Sequence, residues 1–358
     1  MKAVVLVGGE GTRLRPLTYT TPKQLRPVVE VPLLERVLVH LAGAGVDEAI
    51  LSLGYRPDAF VTAYPDSVAA GIRLSYAVEP EPLDTAGAIA FAARHGGVDE
   101  TFVAVNGDVL TDVDVGDLVR THRRRQAVAT IHLTAVDDPS RFGVVAIDDD
   151  GRVLAFVEKP PPGQAPSNLI NAGTYILEPE VLALIPADRR VSIERQTFPE
   201  LVDGGRLYGV ASEAYWLDAG TPAAYLRAHA DLLDGTRAGP PAPGATTVAP
   251  GVWVLGSPTV EGDVGPYSLI GAGAVIAAGA RVASSVVGAG SVVEKGAVVE
   301  RSLLLPGARV GGGASVTGSI LGRNAVVAED CQVSALTVVG DNEVLDRGVC
   351  LSQARVPA

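Results

Sequence analysis

Residues 7–23 read VGGEGTRLRPLTYTTPK and follow a short apolar run at 2–6. A strand that runs into a glycine-rich loop turns backbone N–H groups towards an anion. Gly8, Gly9 and Gly11 remove side chains where backbone must approach a ligand closely. Thr12 adds a hydroxyl donor, Arg13 and Arg15 add planar fixed charge that forks onto phosphate oxygens, and Lys23, after Pro22, adds a point-like cation. Several cations and a donor-rich loop on one segment suit a triphosphate better than a monophosphate. The loop is neither a G-x-x-x-x-G-K-[ST] phosphate loop nor a G-x-G-x-x-G dinucleotide loop. On the glycines alone, an ordinary turn with nearby arginines remains open.

Two carboxylates stand out. Asp108 lies in FVAVNGDVL, directly after a buried strand, and Asp218 lies in YWLDAGTPAAY, before a helix. Chemistry on a triphosphate calls for a divalent cation that neutralises charge at the reacting phosphate, and two carboxylates from separate segments make such a clamp. Each also has a plain alternative, Asp108 as a turn residue and Asp218 as a residue near a helix cap.

The elements that must position these groups follow a β-α-β-α rhythm. Strands are expected at 2–7, 48–53, 72–78 and 101–105, with helices over 32–44, 57–64 and 85–95. That order implies an α/β domain with a mixed, mostly parallel sheet and helices on both faces. Such sheets bind ligands beyond the C-terminal ends of their strands, where the Gly8 loop and residues 106–108 fall. After Gln126 the strands at 128–136, 143–147, 153–157 and 169–177 follow, with DDDG at 148–151 closing a hairpin. Ser192 reads as an N-cap and Thr221-Pro222 opens a last helix.

Residues 235–247 (GTRAGPPAPGATT) read as a linker between a domain at 1–234 and a repeat domain at 248–358. Aliphatic residues recur six apart at Val264, Ile270, Ile276 and Val282. Five-residue steps reach Val287, Val310 and Leu321, with sixes between them through Val293, Val299, Leu305, Val316, Val327, Val333 and Val339. Hexapeptide periodicity of this kind marks a parallel β-helix; a β-sandwich would need longer strands with period-two alternation.

Composition narrows the function. The 358 residues carry a formal net charge of −12, which argues against a nucleic-acid surface. Two cysteines and five scattered histidines imply neither a disulfide framework nor a zinc site. No signal peptide is read at the start, and no apolar stretch approaches the ~18 residues of a membrane span. A cytoplasmic enzyme is expected.

The loop resembles the signature G-G-x-G-T-R-L-x-P-L-T…P-K of the sugar-nucleotide pyrophosphorylases, at Gly8, Gly9, Gly11, Thr12, Arg13, Leu14, Pro16, Leu17, Thr18, Pro22 and Lys23. FVEKP at 156–160, N-x-G-x-Y at 171–175 and FGVV at 142–145 are similar to that family's sugar-phosphate segments. EPEPLDTAGA at 79–88 is similar to E-P-L-G-T-A-G-A of mannose-1-phosphate guanylyltransferases, and SIERQTFPEL at 192–201 resembles their S-I-E-x-x-x-F-P.

The resemblance implies a Rossmann-like nucleotidyltransferase domain followed by a left-handed β-helix. It implies GTP and a sugar 1-phosphate as substrates, with Arg13, Lys23, Asp108 and Asp218 catalytic and Mg²⁺ on the two aspartates. Gly8, Gly9, Gly11, Thr12, Thr85 and Gly107 would join Arg13, Lys23 and Asp108 at the nucleotide. Gly143, Glu158, Lys159, Asn171 and Gly173 would line the sugar-phosphate site. Glu79 and Glu81 are candidate acceptors for a guanine edge, or solvated loop residues. Three positions depart from the family pattern: Asp84 stands for Gly, Gln24 for Pro and Glu30 for Asn.

Other readings remain: a different pair (glucose 1-phosphate with dTTP, UTP or ATP), or a catalytically silent regulatory homologue. A repeat-fold acyltransferase would want a histidine, and 248–358 contains none, so the β-helix is expected to serve homo-oligomerisation or regulation.

Overall fold

The computed structural model describes residues 1–187 and 189–357. The chain forms two compact units, Met1–Glu10 with Leu34–Leu217, and Gly11–Leu33 with Asp218–Ala358.

The first unit is built on one ten-stranded mixed sheet. Its strands include β1 (Lys2–Leu6), β2 (Glu48–Leu53), β3 (Ile72–Val78), β4 (Phe102–Asn106), β5 (Ala129–Ala135), β6 (Gly143–Ile147), β7 (Val153–Glu158), β8 (Leu169–Leu177) and β9 (Leu207–Ala211). β1 runs parallel to β2 and β4, and β2 runs parallel to β3. β8 is antiparallel to β4, β5 and β6, while β9 is parallel to β5. The core strands are near-continuous apolar runs because helices cover them: Val4, Ile50, Ala104, Ile131 and Tyr175 share one core with Ile89 and Ala93.

Helices α1 (Leu33–Gly43), α2 (Pro57–Ala63) and α3 (Asp84–His95) fall where the apolar periodicity places them. α4 (Val115–Arg125) is absent from the expectation above. Its Asp114 cap accepts a hydrogen bond from Asp117 N–H at 2.9 Å, and it buries Val115, Leu118, Val119 and His122. Those four sit at i, i+3, i+4 and i+7, but four closing basic and histidine residues make the stretch read as solvated loop. Strand β9 likewise goes unread, being short and lacking a flanking helix signal. Ser192 does cap, with its hydroxyl accepting from Arg195 N–H, and a single π turn at Ile193–Thr197 leads into α5 (Phe198–Asp203).

In the second unit, α6 (Pro222–Leu233) is capped by Thr221 and precedes a three-sided parallel β-helix. Val286 pairs with Leu303, Val292 with Arg309 and Val298 with Ser315, which sets a coil of 17 residues. The spacing departs from 17 near the start, where Thr259 pairs with Val275 and Asp263 with Arg281, 16 and 18 residues apart, and again at 18 where Ile320 pairs with Val338, the extra residue there falling where Ala335 and Leu336 both take positive φ. The aliphatic stack runs through Ile270, Ile276, Val282, Val287, Val293 and Val299 as the period requires. It then passes through Leu304, not Leu305: the five-residue step falls between Val299 and Leu304, matching Val282 to Val287 and Val316 to Leu321. At the corners backbones nearly touch; a Cβ on Gly322 would lie 2.5 Å from Asp341 N.

Candidate active site

Two loops that leave parallel strands meet in the first unit. Val7 N–H donates to Ser52 O and Tyr55 N–H donates to Gly8 O, each at 3.1 Å. A Cβ on Gly8 would sit 3.0 Å from Gly54 N and 3.3 Å from Glu79 Oε1, so a side chain there would crowd the end of β2. A Cβ on Gly9 would meet nothing within 4 Å, so Gly9 presents bare backbone to open space. The space is a pocket of about 460 Å³ lined by Gly8, Gly9, Tyr55, Glu79, Glu81, Asp84 and Thr85, among others. Gly54 and Tyr55 are members that the sequence reading missed, although the strand-end rule that singles out Gly8 applies to them equally.

The wall of this pocket is EPEPLDTAGA. Glu79 accepts from Ser52 Oγ at 2.9 Å and from Leu83 N–H at 3.0 Å, so both its oxygens shape the turn. Glu81 is exposed on the rim. Asp84 takes φ +62°, the left-handed region where glycine is the ordinary choice, and its carboxylate accepts from Thr85 N–H at 2.8 Å. Thr85 lines the pocket, but its hydroxyl donates to Glu194 Oε2 and accepts from Ile193 N–H, both at 2.8 Å. Ala86 and Gly87 N–H groups donate to Val191 O at 2.9 and 3.1 Å. The start of α3 is therefore closed by residues 191–194.

A second cluster surrounds the end of β4. Gly107 N–H donates to Leu6 O at 3.0 Å, and a Cβ there would come within 2.6 Å of Val7 Cγ1, so glycine lets residues 106–108 cross the end of β1. Asp108 follows, partly exposed. Opposite, β8 is bulged against β5 between Asn171 and Tyr175. Gly173 sits in the bulge at φ +77°, and a Cβ there would lie 2.5 Å from Asn106 Nδ2. Asn171 holds the bulge, accepting from Gly173 N–H at 3.1 Å and donating to Tyr175 Oη at 2.9 Å. Asn106 is thus the link between NGD and N-x-G-x-Y, a role that no spacing in the sequence signals.

Gly143 pairs with Glu158 across β6 and β7, and a Cβ on it would reach Glu158 Oε2 at 3.0 Å. Lys159 Nζ lies 3.2 Å from Glu158 Oε1 and is 59% exposed, so the cation is presented beside a carboxylate that is 17% exposed. Phe142 packs edge-on to Trp216 with centroids 5.7 Å apart, and Trp216 Nε1 donates to Ala172 O at 2.8 Å.

The remaining expected residues lie in the second unit. Gly11 takes φ +64°, and a Cβ there would lie 3.0 Å from Thr18 Cγ2 and 3.4 Å from Lys23 Cβ. Three short turns, Thr12–Leu14, Leu17–Tyr19 and Lys23–Leu25, fold the segment back so that Lys23 comes beside Gly11. Arg13 Nη2 lies 3.4 Å from Asp218 Oδ2, while Asp218 Oδ1 accepts from Gly220 N–H at 2.8 Å. A Cβ on Gly220 would come within 2.6 Å of Arg13 Nη2 and 2.7 Å of Asp218 Oδ1, so a larger residue there would displace the pair. Arg13 is 52% exposed, so the pair is weakly held and open to exchange for a ligand. Arg15 stacks over the Tyr19 ring at 5.4 Å.

Among the described residues, no three or more His, Cys, Asp or Glu side chains are grouped to hold a metal unaided. Among the same described residues, no helix is long and apolar enough to cross a membrane.

The chain belongs to the nucleotidyl transferase family, whose model matches residues 2–235. A second model, the GMPPB C-terminal domain, matches residues 264–358. Among similar proteins is the mannose-1-phosphate guanylyltransferase of Mycobacterium tuberculosis, 40% identical over 278 residues that cover 74% of this chain and 76% of the relative. The mannose-1-phosphate guanyltransferase of Aspergillus fumigatus is 40% identical over 232 residues, 63% of this chain and 62% of that protein. The crystal structure of HddC from Yersinia pseudotuberculosis complexed with GMP-PN matches with a TM-score of 0.55 and 31% identity, over 64% of this chain and 97% of the other.

Proposed function

We propose that the chain makes GDP-mannose and pyrophosphate from GTP and mannose 1-phosphate. The observation that carries the reading is the pocket wall formed by Glu79–Thr85 beside Gly8 and Gly9. The same EPEPLDTAGA segment resembles guanylyltransferases, and the relatives at 40% identity carry that activity in their names.

In this reading a phosphate oxygen of mannose 1-phosphate attacks the α-phosphorus of GTP in line with the departing pyrophosphate. The P–O bond to the sugar phosphate forms as the bond to pyrophosphate breaks. The nucleophile is already anionic, so no covalent enzyme intermediate and no general base is needed, and the protein's task is positioning and charge neutralisation. Gly8, Gly9, Gly11 and Thr12 cradle the triphosphate, Arg13 leaves Asp218 to hold the pyrophosphate, and Lys23 bridges the transferring centre. Lys159 orients the attacking phosphate, while Glu158 accepts from sugar hydroxyls. Gly143, Asn171 and Gly173 shape the sugar side, and Thr85 and Gly107 shape the nucleotide side.

Asp108 and Asp218 would be the residues that hold Mg²⁺, since carboxylates are the hard oxygen donors that it takes. The ion would supply neutralisation of charge at the α-phosphate. The histidine-free repeat domain is assigned to self-association and to carrying the loop.

The test is GDP-mannose formation by full-length protein with Mg²⁺, followed by product mass. Asp108→Asn and Asp218→Asn should each lose turnover at least 100-fold with unchanged melting behaviour. Near-wild-type turnover in either variant contradicts the metal assignment.

A further inference from the structure

Arg26 immediately follows the Lys23–Leu25 turn and closes it, its N–H donating to Lys23 O. Its guanidinium is buried at 1% exposure, and the partner carboxylate of Asp341, on a β-helix coil, is buried at 5%. The pair is bidentate, with Nη1 2.8 Å from Oδ1 and Nη2 2.6 Å from Oδ2. Nη2 also donates to Leu17 O and, at 3.2 Å, to Thr20 Oγ1. The Thr20 hydroxyl donates to Asp341 Oδ2 at 2.5 Å, and Arg323 N–H donates to Oδ1 at 2.8 Å. One carboxylate from the repeat domain therefore ties together three points of the segment that carries Arg13 and Lys23.

Neighbouring contacts hold the following residues of the segment, one to a β-helix coil and two to α6. Glu30 Oε2 accepts from Ala289 N–H at 3.3 Å, Val29 N–H donates to His229 Nδ1 at 3.1 Å, and Tyr225 Oη donates to Pro27 O. A buried ion pair is a poor device for stability alone, since apolar side chains of the same volume serve as well. Its forked geometry instead fixes direction and distance.

We infer that Arg26 and Asp341 are positioning residues for the nucleotide, through which a coil of the β-helix sets the place of Lys23 and of the Gly11 turn packed against it. The inference rests on the nucleotide-binding role proposed for that segment. It goes further in giving the repeat domain a part in GTP binding, exerted through the placement of Lys23.

The experiment compares wild type with Asp341→Asn as full-length proteins, by steady-state kinetics and by hydrogen–deuterium exchange over residues 11–26. The expected result is a GTP KM at least tenfold higher, a mannose 1-phosphate KM within twofold of wild type, and faster exchange over 11–26, with cooperative melting retained. Unchanged GTP KM, or both KM values rising together, overturns it. If Asp341→Asn does not fold, Thr20→Val and Arg26→Lys take its place; either one folding with wild-type GTP KM and wild-type exchange overturns the inference. Should wild type use another nucleotide, the proposed activity fails, and the same comparison with that nucleotide judges the pair separately.

Discussion

The Thr85 hydroxyl donates to Glu194 Oε2 and accepts from Ile193 N–H, each at 2.8 Å. Two segments more than a hundred residues apart, DTAGA and SIE, are thereby one structure: the first walls the pocket and the second braces the wall. Thr85→Ala removes both bonds, taking from Ile193 N–H its acceptor and leaving Glu194 Oε2 with the Ser192 hydroxyl that donates to it at 2.8 Å. The expected cost is about 1–3 kcal/mol in denaturant unfolding, with a higher nucleotide KM. Thr85→Ser, which keeps the hydroxyl, should restore both.

Asp84 and Glu30, two of the departures from the family pattern, both occupy left-handed backbone, at φ +62° and +64°. The pattern has Gly and Asn there, the residues that tolerate this conformation best. The departures therefore preserve the backbone, and Asp84 compensates by accepting from Thr85 N–H. Asp84→Ala should destabilise by about 1 kcal/mol, whereas Asp84→Gly should match wild type or exceed it. Equal melting temperatures for Ala and Gly would contradict this.

Gly173→Ala puts a Cβ 2.5 Å from Asn106 Nδ2 at a backbone φ of +77°. Strain and displacement of Asn106 together should cost about 1–3 kcal/mol. Because Asn106 leads directly into Asp108, turnover should fall more than stability alone explains. Activity measured well below the melting transition checks this.

His132 is buried on β5, and burial first, then the charge of neighbouring His40, depresses its pKa from 6.5 to about 4. Its Nε2 meets Ser212 Oγ at 2.8 Å, and Nδ1 finds no partner among the described residues. Protonation would add a proton to that buried nitrogen. The unfolded chain takes up a proton near pH 6.5, where the folded chain does not. Stability is therefore full above pH 6.5 and falls as pH drops towards 4, by about 2 kcal/mol between pH 7 and pH 5. Urea titrations at the two pH values measure it, and His132→Gln should flatten the difference.

The elements that act locally were legible. β2, β3, β6 and β8 fall on the expected residues, because apolar runs between turn residues define them. A Cβ would come within 2.6 Å of a neighbouring protein atom at Gly107 and Gly173, and would meet Gly54 N at 3.0 Å at Gly8. The β-helix was legible from its period, except where two adjacent leucines, Leu304 and Leu305, offered two registers. What was not legible depends on distant pairing. Nothing in the sequence joins Thr85 to Glu194, Asn106 to Gly173 or Arg26 to Asp341, because each is set by how strands and coils stack. The polar end of α4 hid a helix whose apolar stripe has only four residues.

The choice of substrates defines the enzyme. Initial rates of pyrophosphate release by full-length protein with Mg²⁺ would be measured for GTP, ATP, UTP and dTTP, each crossed with mannose 1-phosphate and glucose 1-phosphate. GTP with mannose 1-phosphate is expected to exceed every other pair at least tenfold in kcat/KM. A higher rate with another pair, or folded protein silent in all eight, would contradict it.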